Sequence, residues 1–271
     1  MMHNSLEELF PIAAPPWNAE GKKIESLIRK ACFDFQLLDG AGDITVALSG
    51  GKDSLALLFM LHAINGRGFE KFNLSAAHVS GEFSCGASMH ESYLKNICNR
   101  LEIPLIIKQS EQKLDKLECY SCSRERRKLL FDAAKSFGSK KVAFGHHQDD
   151  HIQTLLLNLL HKGEFEGNLP YVPMHHYGIT ILRPLIYVSE KDIIKFATHY
   201  GFARITCQCP VGQDSKRKKA ELHLKEIEKD FVNARTNLAQ AGLKFGSKKA
   251  LAVELTSRTI GSMITTNETH N

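Results

Sequence analysis

The sequence contains no run of the roughly 18 apolar residues that a membrane-spanning helix needs, which leaves no candidate for an integral helix. It has no internal repeat and no low-complexity tract, so a solenoid or a fibrous array is excluded. Charge of one sign is also scarce. There are 35 Lys and Arg against 30 Asp and Glu, and the net charge of +5 permits a nucleic-acid partner without demanding one. The opening stretch, MMHNSLEELFPIAAPPW, lacks the basic start of a secretory signal, and Pro11, Pro15 and Pro16 break its apolar part. The expectation is a cytoplasmic protein. What is present is an ordinary globular composition, 43% hydrophobic and 24% charged, which argues against wholesale disorder. Its 271 residues suit one large domain or two small ones with a sizeable core. The seven cysteines are Cys32, Cys85, Cys98, Cys119, Cys122, Cys207 and Cys209. In a long chain without a signal they do not form a disulfide framework, and the tight pairs Cys119/Cys122 and Cys207/Cys209 point to metal or redox chemistry.

Along the chain, residues 1–18 are Pro-rich. Residues 19–37 place Ile24, Leu27, Ile28, Ala31, Cys32 and Phe35 at helical spacing. A strand–helix alternation follows. Strands are expected over Ile44–Leu48, Asn73–Val79, Pro104–Ile107, Lys141–Phe144 and Ile179–Leu182. Helices are expected over Ser54–His62, Ser88–Leu101, after Ser123, over Asp149–Leu160 and over Glu190–Tyr200. The pattern predicts an α/β, doubly wound, mainly parallel five-stranded sheet with ligands at the carboxyl ends of the strands. The tail after about Gly242 is polar.

Between the first strand and its helix stands Ser49-Gly50-Gly51-Lys52-Asp53-Ser54. Two glycines allow a tight turn and a close approach to an anion, and the helix start offers unpaired N–H groups and the positive end of a dipole. Ser49 and Ser54 add hydroxyls. The result is a phosphate cradle or, on the plainer reading, a ligand-free glycine turn. Neither the Walker A spacing nor G-x-G-x-x-G is present. SGGKDS after a buried strand resembles the PP-loop of the ATP pyrophosphatase family. That resemblance implies ATP binding, cleavage between the α- and β-phosphates, and adenylation of a substrate. It gives Asp53 to Mg²⁺ or to the nucleotide, and leaves Lys52 either on phosphate or in solvent.

After the fourth strand comes Gly145-His146-His147-Gln148-Asp149-Asp150. Acids at a helix start can simply be caps. GHHQDDHIQTLLLNLL resembles the second motif of the same family, GHxxDDxxET, with Gln153 where many members have Glu. The resemblance gives Asp149 to the metal or ATP and lets His146 meet the nucleotide or the activated substrate, while His147 reads equally well as packing.

Cys119-Tyr-Ser-Cys122 is a redox pair, a metal half-site or a coincidence. Its place after the third strand rather than the first favours metal. Four cysteines would bind Zn²⁺, and three would hold a [4Fe–4S] cluster with one iron open. A PP-loop, then C-x-x-C, GHHxDD and a late cysteine resembles the tRNA 2-thiocytidine synthetase group of thiolases over roughly residues 20–230. That resemblance implies a three-cysteine cluster on Cys119, Cys122 and Cys209, with Cys207 as the alternate. Cys209 is preferred because it brings Arg217 into register with the group's following basic residue. The C-x-C-Pro form is closer to related 2-thiouridine enzymes. Basic runs follow both pairs: Arg124, Arg126, Arg127 and Lys128, then Lys216, Arg217, Lys218 and Lys219. They are solvated helix faces or a surface for tRNA phosphates and unstacked bases. By resemblance Arg126 stands near a basic residue that contacts ATP.

The expected protein is therefore an ATP- and Mg²⁺-using tRNA sulfurtransferase, with cytidine at position 32 of the anticodon loop as the leading target. The sulfur donor would be free sulfide or a cysteine desulfurase, and a homodimer stays open. The rivals are a 2-thiouridine synthetase, a lysidine-type ligase and a non-catalytic nucleotide- or RNA-binding module with structural zinc. The division expected is an N-terminal extension and helix over 1–37, a PP-loop catalytic domain over 38–242 and a polar tail over 243–271.

Overall fold

The computed structural model describes residues 12–40, 42–81, 91–111, 119–202 and 216–246. Helix α1 (Ala19–Asp34) starts on Asn18, whose side chain accepts a hydrogen bond from the Gly21 N–H and so satisfies one otherwise orphaned donor. The alternation then runs β1 (Asp43–Ala47), α2 (Lys52–Ile64), β2 (Asn73–Ser80), α3 (Glu91–Arg100), β3 (Leu105–Gln109), α4 (Cys119–Ser136), β4 (Lys141–Ala143) and α5 (Gln148–Lys162). After these come β5 (Tyr171–Met174), β6 (Ile179–Leu182), α6 (Glu190–His199), α7 (Lys216–Asp230) and α8 (Ala234–Phe245).

The strands form one six-stranded sheet in the order β3-β2-β1-β4-β6-β5. Five strands are parallel, as expected, and the edge strand β5 pairs antiparallel with β6. The sequence pattern gives five strands and misses β5. The reason is Pro173, which lacks an N–H and breaks the strand signal, yet is tolerated at a sheet edge. Chain order reverses between β1 and β4, because β1 is followed by β2 on one side while β4 and β6 lie on the other. In an open parallel sheet such a switch point leaves a crevice beyond the carboxyl ends.

Side chains alternate across the strands, and each face is covered. Ile44 and Val46 of β1 join α1, α2, α3 and α6 in the main core. α2 is apolar nearly all round, and ten of its thirteen residues are buried, so it is a central helix rather than an amphipathic surface one. On the opposite face Ala47, Val142, Ile179 and Ile181 pack against Phe131 and Ala134 of α4. A third, smaller cluster joins Ile152 of α5, Leu224 of α7 and Ala239 of α8, and seats the C-terminal helix pair on α5. No helix among the described residues is long and apolar enough to cross a membrane.

Candidate active site

The loop after β1 closes on itself. Gly50 has φ +84, in the left-handed region where only glycine is unstrained. The Gly50 N–H donates to Ser54 Oγ at 3.2 Å, and Ser54 Oγ donates to the Gly51 carbonyl at 3.0 Å. Ser54 Oγ also lies 3.0 Å from Ser49 Oγ, which accepts from the Gly51 N–H at 3.3 Å. Two hydroxyls thus fold Ser49–Ser54 into a cup on the N-terminus of α2, where N–H groups and the helix dipole favour an anion. Lys52 is not free in solvent. Its Nζ lies 3.1 Å from Asp53 Oδ2 and 3.0 Å from Glu190 Oε1 at the start of α6. Burial opposes its charge, but the two carboxylates outweigh that and raise its pKa.

The loop after β4 meets this cup. A Cβ at Gly145 would stand 3.0 Å from the Asp53 carbonyl carbon and the Ser54 nitrogen, so glycine is required for the two loops to touch. His147 caps α5: its N–H donates to Asp150 Oδ2 at 3.1 Å. Its buried ring lies 3.8 Å from Asp53 Oδ1, 3.6 Å from Asp149 Oδ2 and 3.5 Å from Asp150 Oδ2. Burial disfavours the imidazolium, yet Asp149, Asp150 and Asp53 together raise its pKa. Asp149 Oδ2 accepts the Glu190 N–H at 2.6 Å, and Oδ1 pairs with Arg235 Nη1 at 2.5 Å. Burial works against the Asp149 carboxylate, but His147, the Glu190 amide and Arg235 bring its pKa down to about 2. Asp53 Oδ1 is buried and accepts no hydrogen bond, although Lys52 Nζ lies 3.1 Å from it as an ion-pair partner.

His146, one residue before the cap, stacks on Phe144 with ring centroids 5.6 Å apart and an interplanar angle of 12°. His78, two residues before the end of β2, has its Nδ1 2.7 Å from the Leu48 carbonyl, so that nitrogen carries the proton. Burial and then the Arg126 charge keep His78 below its usual pKa, the Leu48 bond opposing them. Arg126 therefore sits within electrostatic reach of this strand end, and Ser110 Oγ holds Glu125 of α4 at 3.2 Å. Cys119 and Cys122 are in the first turn of α4, three residues apart and so on one helix face. Their side chains, and Cys85, Cys207 and Cys209, lie outside the described residues. Cys32 and Cys98 are buried in the core, where burial pushes both thiols up to about 12 and makes them unreactive.

The comparisons follow the same lines. The profile of a family described as a PP-loop domain matches residues 20–206. A tRNA-cytidine(32) 2-sulfurtransferase of Geobacter sulfurreducens is 33% identical over 231 residues, covering 83% of this chain and 90% of the relative. A second, from Geobacter metallireducens, is 34% identical over 228 residues, covering 81% and 88%. The chain belongs to the PP-loop family, on the branch of these tRNA 2-sulfurtransferases. Among solved structures, the U34-tRNA thiolase NcsA from Methanococcus maripaludis with its [4Fe-4S] cluster shares the fold, with a TM-score of 0.66 and 20% identity over 82% of this chain and 78% of that one.

Within this PP-loop frame the structure adds residues that pattern reading does not supply. Glu190 links the two loops, through its amide to Asp149 and its carboxylate to Lys52. Arg235 of α8 reaches Asp149, Glu221 and Glu228 together. Gln153, the departure from the PP-loop second motif, donates to Glu221 Oε2 at 3.0 Å, where a glutamate would face a like charge. Arg217, in the second basic run, approaches Asp150 at 3.6 Å. Arg183, directly after β6, is buried against His146. The one local signal for Glu190 is its place behind Ser189, the cap of α6.

Proposed function

We propose that this PP-loop protein is an ATP-dependent tRNA sulfurtransferase that replaces the C2 oxygen of a pyrimidine with sulfur, with cytidine 32 of the anticodon loop as its target. The observation that carries this reading is the contact between the two strand-end loops at the switch point. Asp53 and Asp149 stand on either side of His147, 3.8 and 3.6 Å from its ring. The named activity of the relatives at 33% and 34% identity supports the choice of substrate.

ATP binds with its phosphates in the Ser49–Ser54 cup, where the loop amides and the α2 dipole act on the negative oxygens. Lys52 exchanges its bond to Glu190 for one to phosphate. The C2 oxygen attacks the α-phosphorus, the bond to pyrophosphate breaks, and the oxygen becomes part of a good leaving group. Sulfide-level sulfur then adds to C2, and AMP departs with the former oxygen; free sulfide supplies it directly, and a desulfurase persulfide supplies it only with a two-electron thiol reductant that cleaves the S–S bond. The described residues form no ready-made group of three metal ligands, but Asp53 Oδ1 is a buried carboxylate oxygen without a hydrogen bond, and Asp149, held ionised across the His147 ring, offers a second carboxylate once Arg235 releases it. Asp53 and Asp149 would hold Mg²⁺, which when bound neutralises phosphate charge. The donor set for an iron–sulfur cluster begins with the pair Cys119 and Cys122 on one turn of α4, completed by Cys209; such a cluster, when bound, supplies an open iron for sulfur. Arg126, Arg127 and the Lys216–Lys219 run are the cations that would meet tRNA phosphates.

The test is mass spectrometry of tRNA nucleosides from cells with and without the gene. Loss of 2-thiocytidine supports the reading. Loss of 2-thiouridine instead would move the target base, and an unchanged profile would refute it.

A further inference from the structure

We infer that Arg183 fixes His146 as a neutral imidazole protonated on Nε2, so that His146 donates a hydrogen bond to a phosphate oxygen at the carboxyl end of the sheet and does not act as a base there. The phosphate half rests on the adenylation reading given above; the tautomer half stands on the protein alone.

A guanidinium has five N–H donors and no acceptor. Arg183 is 8% exposed, and its Nη1 donates to the Leu169 carbonyl at 2.5 Å, which anchors it. Its Nε donates to His146 Nδ1 at 3.3 Å. Nδ1 must therefore present a lone pair, and a neutral imidazole with a lone pair on Nδ1 carries its hydrogen on Nε2. A second proton would set N–H against N–H. Burial first, and then Arg183, press His146 the same way and bring its pKa down to about 3. The Phe144 ring lies on its face, and a flip of the imidazole would turn a carbon toward Arg183 and forfeit the bond.

Nε2, by contrast, makes no hydrogen bond among the described residues and is not among their buried unpaired atoms. The charges around it decide what it meets. Arg183 and Arg217 act on His146 against the carboxylate Asp150, which Arg217 itself approaches at 3.6 Å, and Arg127 adds its charge on the Arg183 side. A donor N–H in a cationic setting suits an anionic oxygen. The nucleotide and the tRNA backbone both offer phosphate oxygens.

The direct test is two-bond ¹H–¹⁵N NMR of the full chain with ¹⁵N-labelled histidine, the His146 signals being assigned with H146Q. We expect the Nε2-protonated pattern, unchanged on acidification to about pH 5. An Nδ1-protonated ring, or one that titrates near the ordinary value, would overturn the proposal whatever the enzyme does. R183M should release the tautomer lock where it folds, which melting reports. The functional arm compares H146Q, whose amide nitrogen reaches the Nε2 position, with H146N, whose amide reaches only Nδ1. Binding of ATP alone and of unmodified tRNA alone is measured for both. H146N should lose about tenfold in one arm while H146Q retains affinity. Loss in the ATP arm assigns the nucleotide phosphate, and loss in the tRNA arm assigns the backbone. Equal affinity of H146N and the parent in both arms would contradict the donor role.

Discussion

The two strand-end loops at the switch point differ in what holds them. The turn of the Ser49–Ser54 cup is shaped from within, each of its backbone and hydroxyl hydrogen bonds joining residues no more than five apart, and only the Lys52 side chain reaches outside it, to Glu190. The Gly145–Asp150 loop is held from outside. Asp149 depends on an amide 41 residues away and a guanidinium 86 away, His146 on an arginine 37 away, and His147 on a carboxylate from the other loop. A local loop can form as soon as its strand and helix do. The second is complete only when α6 and the C-terminal pair α7–α8 have docked. The activating centre is thereby coupled to the element that carries the second basic run.

Asp149→Asn should give the largest effect, because it removes the charge on which the external contacts converge. tRNA-dependent ATP–pyrophosphate exchange should fall by about 10²–10³-fold. An unchanged rate would remove Asp149 from the centre. The same variant isolates a pH dependence. The folded pKa of Asp149 is about 2 against an ordinary 3.8, so its contribution to stability is present above 3.8 and is lost as pH falls toward 2. Melts across that window should show the parent losing about 2 kcal/mol that the variant never had.

Arg235→Ala comes next. It leaves Asp149, Glu221 and Glu228 without their shared cation and should cost about 2 kcal/mol in denaturant unfolding, a value reduced for the partial exposure of the site. Amide exchange should speed up at the start of α5 and stay constant at Gly50 and Gly51. Ser54→Ala should do the reverse, at about 1 kcal/mol, with faster exchange in the cup and none in α5. Equal disturbance of both loops by either variant would erase the distinction between them. Gln153→Glu, which sets a second carboxylate beside Glu221, should cost least, about 0.5 kcal/mol at low salt, read from thermal melts.

The same contrast explains what could be read from the sequence. The parallel strands, the central helix α2 and the cup are local patterns, and SGGKDS carries its own reason for its shape. β5 was hidden because Pro173 interrupts an alternation that only its edge position permits. Lys52 could not be separated from a solvated side chain, since its partner Glu190 is 138 residues away. Arg235 lies in no motif, and only the packing of α8 on α5 reveals its purpose. His147 looked like packing; its three carboxylate neighbours come from two loops that no spacing rule joins.

The central claim is that the two loops form one ATP-activating centre working on tRNA. It is tested most directly by pyrophosphate exchange into ATP with anaerobically purified protein. The account predicts exchange that requires tRNA and falls by at least about 10²-fold in both Asp53→Asn and Asp149→Asn. Exchange at the parent rate in either variant, or none from the parent with tRNA present, would contradict it.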